Sequence, residues 1–260
     1  MQKIFHGGIH QVNANFPNQL VVSTAQGSIV RVNAKTMVFE DEVNLESGPV
    51  VSLCNSMEKI YALTAAGSMF SVEGTEPLAS VSCFTTSITN PVSSIHFPAG
   101  YGEIFAMRSR DEIRIWNVAD QRELLRITLQ EHEGQSPFCN VMDFMPDGKS
   151  IISGWTDGKI RAFTPQSGRL LYIIRDGHRV TQNTAASQIS GVQTASKYAG
   201  LVPQGATCLS PSIDCNFLLT GGFDCEVKLW QIGRQTQTLV SSQRVHRAPV
   251  TNVQYIGTGE

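Results

Sequence analysis

The stretch SIISGWTDGKIRAF, residues 150–163, holds the pattern that decides the fold. A short apolar run leads into a polar turn at Asp157 and Gly158, and a second apolar run closes on a large residue, Phe163. The pattern occurs five times, and the other copies are LVVSTAQGSIVRV at 20–32, IYALTAAGSMFSV at 60–72, IFAMRSRDEIRIW at 104–116 and FLLTGGFDCEVKLW at 217–230. The closing residues stand at positions 32, 72, 116, 163 and 230, so the spacings are 40, 44, 47 and 67.

A repeat length in the forties, made of short strands and tight turns, predicts the blades of a β-propeller. An apolar segment precedes each pair of runs and a more polar segment follows it, as at 139–144 and 169–174. Four such strands form a small antiparallel sheet that is apolar on both faces, so it has to stack against copies of itself. We therefore predict an all-β fold of five complete four-stranded blades, with Val250 to Tyr255 opening a sixth.

The composition excludes two classes of partner. Hydrophobic residues make up 41% of the 260 residues, charged residues make up 16%, and the net charge is −2. No stripe of Lys and Arg could neutralise phosphates, so nucleic acid is not expected as a partner. No apolar stretch has the length of a bilayer-spanning helix, and residues 1–8 lack the apolar stretch of a signal peptide. We expect a cytoplasmic chain with no membrane partner.

The motifs of enzymes and metal sites are missing from the sequence. The six cysteines never form Cys-x-x-Cys, so they are interpreted as small reduced hydrophobes. His6 and His10 have the i, i+4 spacing of a metal pair, but Gly7 and Gly8 between them disfavour the helix that would aim both at one ion. No phosphate-loop or Gly-x-Ser-x-Gly motif occurs. We predict no catalytic residue, no cofactor and no metal, and therefore a binding or structural role.

The turns and closing residues of the last two copies resemble the WD-repeat family. The matches are the turns at Asp157 and Asp224, and the histidines His178 and His246 ahead of inner strands. In that family a His, a Ser or Thr, an Asp and a Trp are hydrogen-bonded within one blade. The resemblance implies a structural tetrad in blade five formed by His178, Thr220, Asp224 and Trp230. For blade four it implies a partial set formed by Ser153, Asp157 and Phe163, the last in place of Trp. Because Val closes the copies at 32 and 72, we expect those blades to rely on packing.

A more specific similarity runs through the middle of the chain. The stretches RELLRIT at 122–128, DFMPDGKSIISGW at 143–155, GRLLYII at 168–174 and EVKLWQIG at 226–233 are similar to a family of cilia- and flagella-associated WD-repeat proteins. That family carries two tandem propellers. The resemblance implies that residues 1–84 are the last blades of a first propeller and residues 85–260 the first blades of a second. An inserted loop at 181–204 explains the spacing of 67.

The same resemblance implies a structural role in the axoneme of motile cilia or flagella. The chain would be a microtubule inner protein of the cytoskeleton, with tubulin and other axonemal microtubule inner proteins as partners. The alternative is a soluble WD-repeat adaptor for signalling or ubiquitin-ligase complexes. Two readings of the insert also stay open: a mobile loop, or an anchor that uses Ile189, Val192, Tyr198 and Leu201 on a neighbouring protein.

Overall fold

The computed structural model describes residues 9–16, 18–56, 59–73, 79–85, 92–129, 136–179, 204–244 and 246–256. All regular secondary structure in this part of the chain is β-strand, and it contains no helix. The prediction of an all-β fold is confirmed. The side chains of His6 and His10, the segment 86–91 and nearly all of the predicted insert lie outside the described residues.

Twenty strands follow one another along the chain. They are β1 (Ile9–Phe16), β2 (Gln19–Thr24), β3 (Ser28–Asn33), β4 (Phe39–Asn44), β5 (Val50–Ser56), β6 (Lys59–Thr64), β7 (Ser68–Glu73), β8 (Ala79–Thr85), β9 (Val92–His96), β10 (Ile104–Ser109), β11 (Glu112–Asn117), β12 (Arg122–Thr128), β13 (Cys139–Phe144), β14 (Ile151–Trp155), β15 (Ile160–Phe163), β16 (Leu170–Ile174), β17 (Ala206–Pro211), β18 (Phe217–Gly222), β19 (Val227–Ile232) and β20 (Gln237–Gln243).

The strands form five four-stranded sheets, and each sheet uses four consecutive strands in sequence order. This confirms the prediction of five complete four-stranded blades. The second and third strands are the apolar runs of the repeat, and most of their residues are buried. The fourth strands β4, β12 and β20 are largely exposed, which explains their more polar sequences. Gly27, Gly67 and Gly158 lie in the turns between second and third strands with φ of 91°, 82° and 79°, a region that favours glycine.

The chain divides into two compact units, residues 1–124 and residues 125–260. In the first unit, β1 packs beside β5 and β5 packs beside β9. In the second unit, β13 packs beside β17. The first strand of a sheet is therefore the one that contacts the next sheet, as blade stacking requires. The division at residue 84 that the resemblance implies stays a prediction.

A bulge occurs in the first strand of every sheet. The register steps over one residue at His10, Val51, Ser93, Asn140 and Thr207. Bulges re-aim a side chain out of the regular ladder. In the second unit these side chains point to the next inner segment: Asn140 Nδ2 donates to the Gln204 carbonyl at 2.7 Å, and Thr207 Oγ1 donates to the Val250 carbonyl. Asn140 and Thr207 therefore bond their sheets to the next segment of the chain.

Residues 246–256 occupy the position of a further inner strand without forming one. Val250 is buried, its N–H donates to the Gly222 carbonyl at 3.2 Å, and the Tyr255 N–H donates to Ser210 Oγ at 2.8 Å. The strand expected at Val250 to Tyr255 is not assigned, because no described residue pairs with this segment to build a ladder. The segment is bound through side chains and single backbone contacts.

Candidate functional site

The structure brings His178, Thr220, Asp224 and Trp230 together in the fifth sheet. His178 Nδ1 lies 2.7 Å from Asp224 Oδ1, and His178 Nε2 lies 2.7 Å from Thr220 Oγ1. Trp230 Nε1 donates to the same Thr220 oxygen at 3.0 Å. All four side chains are buried. The four residues thus form one continuous chain of hydrogen bonds, which we call the blade-five network.

The elements of the blade explain this convergence. Thr220 lies on β18 and Trp230 on β19, and the ladder pairs Leu218 with Trp230, two residues from Thr220 on the same face. Asp224 lies in the turn between these strands, and Glu226 N–H donates to its Oδ1 at 3.2 Å. His178 arrives from the segment ahead of β17, 46 residues before Asp224. The network therefore fastens the incoming chain to the hairpin of β18 and β19.

The direction of the hydrogen bonds follows from the donors and acceptors. Asp224 as a carboxylate only accepts, so His178 donates through Nδ1–H. Nε2 lies within hydrogen-bond distance of the Thr220 hydroxyl, whose oxygen accepts the Trp230 indole N–H and which also lies 3.4 Å from the Lys228 carbonyl. Each nitrogen or oxygen atom of the four side chains that lies within the network has a hydrogen-bond partner. Buried networks of this kind stabilise and specify a fold only when they are complete.

A cation completes the site on the other oxygen of Asp224. Lys228 Nζ lies 3.2 Å from Asp224 Oδ2 and donates to the Gly177 carbonyl at 2.8 Å. Burial raises the pKa of Asp224, but the hydrogen bond from His178 and the electrostatic attraction of His178 and Lys228 outweigh it, so its pKa lies below the ordinary value. Asp224 is therefore held as a carboxylate near neutral pH.

Gly222 makes room for the imidazole. A Cβ built on Gly222 would overlap the ring of His178, so any side chain at this position would displace it. The backbone next to the ring is equally constrained, since Gly205 N–H donates to the His178 carbonyl at 3.0 Å. This hydrogen bond joins the described residues on either side of the stretch 180–203.

The fourth sheet uses the same turn with different partners. Asp157 binds both terminal nitrogens of Arg161, at 3.0 Å for Nη1–Oδ1 and 2.5 Å for Nη2–Oδ2. Ser153 accepts an indole N–H at 2.8 Å, but the donor is Trp155 of its own strand. Phe163 is buried and has no polar atom to offer. The structure thus brings the predicted Ser153 and Asp157 into the blade, but not into a bonded set with Phe163.

Arg161 and Trp155 are site residues that the sequence reasoning missed. Arg161 lies on β15, where its guanidinium carbon is 5.8 Å from the centre of the Trp155 ring. Burial raises the pKa of Asp157, but the bonds and charge of Arg161 outweigh it and the pKa lies below the ordinary value. The spacing contained the signal: Arg161 follows Asp157 by four residues, as Lys228 follows Asp224.

The first two sheets have a polar turn of their own. Thr24 Oγ1 accepts the Ser28 N–H at 3.1 Å, and Thr64 Oγ1 accepts the Ser68 N–H at 3.3 Å. Each hydroxyl also donates to the carbonyl of the same serine at 3.3 Å. These sheets close on Val32 and Val72, and we expected them to rely on packing. The threonine hydrogen bonds show that they do not depend on packing alone. The shared pattern Thr-Ala-x-Gly-Ser in the sequence was the available signal.

The polar side chains of these sites bond to other groups of the protein. His178 and Asp224 are 0% and 2% exposed, so no substrate in solution reaches them. No group of three or more His, Cys, Asp or Glu side chains in the described part of the chain could hold a metal ion. The cysteines at 54, 139, 208, 215 and 225 are free thiols. The described residues include no helix that is long and apolar enough to cross a membrane.

The chain matches a family model and several known proteins. The model of the WD domain, G-beta repeat, matches residues 124–164 and 201–231. Cilia- and flagella-associated protein 52 of Sus scrofa is 31% identical over 248 residues, which is 95% of this chain and 35% of that protein. The Homo sapiens protein of that name is 39% identical over 160 residues, 62% of this chain and 21% of that protein. The Chlamydomonas reinhardtii protein is 33% identical over 175 residues, 67% of this chain and 24% of that protein. The chain thus spans about a third or less of the length of these relatives.

Proposed function

The chain belongs to the WD-repeat family, and we propose that it is a structural component of motile cilia or flagella without catalytic activity. In this proposal it binds tubulin inside axonemal doublet microtubules as a microtubule inner protein, next to other inner proteins.

One observation carries the proposal. The similarity to cilia- and flagella-associated protein 52 of Sus scrofa extends over 95% of the chain, well beyond the two stretches that match the general WD model. Relatives with the same name come from mammals and from Chlamydomonas reinhardtii. A generic blade pattern would be confined to turns and closing residues, so the wider similarity supports a shared role.

The use of polar groups inside the sheets agrees with a structural role. The buried acids Asp224 and Glu112 are engaged by His178, Lys228 and Arg114 inside their own sheets. A general acid or base has to reach its substrate within hydrogen-bond distance. Polar side chains that are bonded inside a sheet stabilise the blade. Rigid blades hold loops and edges at fixed positions for binding other proteins.

Such a protein would act by holding other proteins in contact with one another. Asn140 and Thr207 bond two sheets of the second unit to the segments that follow them, and such bonds would resist shear. Rigid blades that touch tubulin and a neighbouring inner protein at once would hold adjacent protofilaments together under bending. No bond is made or broken in this role.

Fractionation of the native cell tests the proposal. The tagged protein should remain with doublet microtubules after detergent and moderate salt, and cryo-electron microscopy should place its density on the luminal side. Cells that lack it should show reduced motility or doublet integrity. Release of most of the protein by detergent, with normal motility after deletion, would reject the axonemal role and favour the soluble adaptor.

A further inference from the structure

We propose that the free edge of β20 is a docking edge, on which an acidic, extended segment of a partner protein adds as a fifth strand. Strand β20 is the last strand of its sheet and pairs with β19. No described residue pairs with its other side. The inference rests on this strand alone and does not depend on the ciliary role.

Strand β20 lacks the protection that edge strands commonly have. Unpaired edges are usually guarded by charged side chains, because a bare edge accepts further strands. The outer strands β4 and β12 carry charged side chains, such as Glu40 and Arg122, whereas β8, β16 and β20 carry none. Residues Gln237–Gln243 carry no charge, and all of them except Gln237 are exposed. Leu239 and Val240 are 49% and 53% exposed, so an added strand would also cover apolar surface.

Basic side chains flank this neutral strand at both ends. Arg234 precedes β20, and Arg244 and Arg247 follow it; all three are exposed. None of the three has an acidic partner among the described residues. By contrast, the buried Arg31 and Arg161 are each paired with a carboxylate. Among the residues that the structure describes, Glu226 bonds to β20, where it accepts from Ser242 and is also paired with Lys228.

The charges select the occupant. Pairing of β20 with a second copy of itself, in either direction, would bring arginines against arginines at the strand ends, which is unfavourable. A segment with carboxylates removes that repulsion and gives each arginine a partner, while its backbone satisfies the free edge. The bulge at Val240 divides β20, so the added strand pairs on both sides of that residue and not through it.

A designed peptide tests the edge directly. The probe is a fluorescein-labelled octapeptide of alternating Glu and Val, titrated against the whole 260-residue chain and followed by fluorescence anisotropy. We expect saturable binding that weakens by about tenfold when salt is raised from 0.05 to about 0.5 M, since salt screens exposed charges. The double variant Arg234→Glu and Arg244→Glu should bind about tenfold more weakly or worse.

Two controls separate strand addition from simple charge attraction. The double variant Lys35→Glu and Arg122→Glu makes the same change of charge at exposed positions of other sheets and should leave binding unchanged. A peptide of the same sequence with alternate backbone nitrogens methylated cannot form the ladder and should lose binding. Absence of binding by the unmodified peptide, equal binding of both peptides, or a chain that dimerises through β20 in sedimentation would each overturn the proposal.

Discussion

His178 uses both ring nitrogens to join parts of the fifth blade that are distant in sequence. Nδ1 reaches the turn at Asp224 and Nε2 reaches Thr220, and neither contact is accessible to water. A buried donor or acceptor that loses its partner costs the desolvation of that group, about 1–3 kcal/mol. The network is therefore sensitive to the loss of any one member, and single substitutions reveal its contribution.

Substitution of Asp224 by Ala should lower the free energy of unfolding by about 1–3 kcal/mol, because His178 and the Glu226 N–H lose their acceptor. Denaturant unfolding followed by circular dichroism measures this loss. Asp120→Ala is the matched control, since Asp120 is exposed in a turn and only its backbone N–H is bonded, to Asn117. Equal stabilities for the two variants would show that the blade-five network contributes nothing measurable.

The stability that Asp224 contributes should depend on pH. Its pKa in the folded chain lies below the ordinary value of an unfolded aspartate, about 3.9. The contribution is therefore complete above the unfolded pKa and is lost as pH falls through the folded pKa. In Asp224→Asn this titration is absent. The difference in unfolding free energy between wild type and variant should be largest near pH 7 and should narrow below about pH 4; a constant difference from pH 7 to about pH 2 would contradict this.

Individual turns show that the same hairpin is closed in two ways. In the fourth and fifth sheets a carboxylate binds a cation four residues later, Asp157 with Arg161 and Asp224 with Lys228. In the first two sheets a threonine hydroxyl holds a serine four residues later. The threonine turn has no charge, so it is not sensitive to pH or salt.

Substitution of Thr64 by Val keeps the shape of the side chain and removes its hydroxyl. The Ser68 N–H loses its acceptor, Ser47 loses a contact at 3.4 Å, and we expect a loss of about 1–3 kcal/mol. Thr36→Val, in the exposed turn between β3 and β4, is the control and should change stability by less than about 0.5 kcal/mol. If the Thr64→Val protein is as stable as the Thr36→Val control, the threonine turn does not stabilise the fold.

The strands and turns could be predicted from the sequence because they are local. Paired apolar runs with a polar turn between them are visible within a window of about ten residues, and they placed all five hairpins correctly. The bulges at Asn140 and Thr207 could not be found in this way, since a one-residue step in register depends on the partner strand. The bond from the Trp155 indole to Ser153 could not be found in this way either, since the repeat pattern singled out position 163 and not position 155.

At the scale of the molecule, the described residues on either side of the stretch 180–203 lie close together. Gly205 N–H donates to the His178 carbonyl, and Asn140 holds the Gln204 carbonyl from the neighbouring sheet. Loops whose ends are fixed by the remaining structure tolerate large changes in length, because loop-closure entropy varies slowly with length. The fifth sheet therefore does not need the stretch as a spacer of a particular size.

Replacement of residues 181–203 by four glycines should leave the midpoint of thermal unfolding within about 3 °C of wild type, since a short loop closes with less entropy cost than a long one. Differential scanning calorimetry measures the midpoint. The comparison protein carries the same replacement together with His178→Ala, which should melt at a clearly lower temperature. A large loss caused by the replacement alone would show that the stretch contributes to the fold.

The sequence separation of the bonded pairs also sets their order in time. Thr64 and Ser68 are four residues apart, whereas His178 and Asp224 are 46 residues apart. A distant pair forms only when the long stretch of chain between its members closes into a loop, so it forms late on the folding pathway. The threonine turn can form together with its own hairpin. In stopped-flow experiments Thr64→Val should therefore mainly slow refolding, and Asp224→Ala should mainly speed unfolding. Asp224 therefore slows the unfolding of the fifth blade and takes no part in the first steps of its folding.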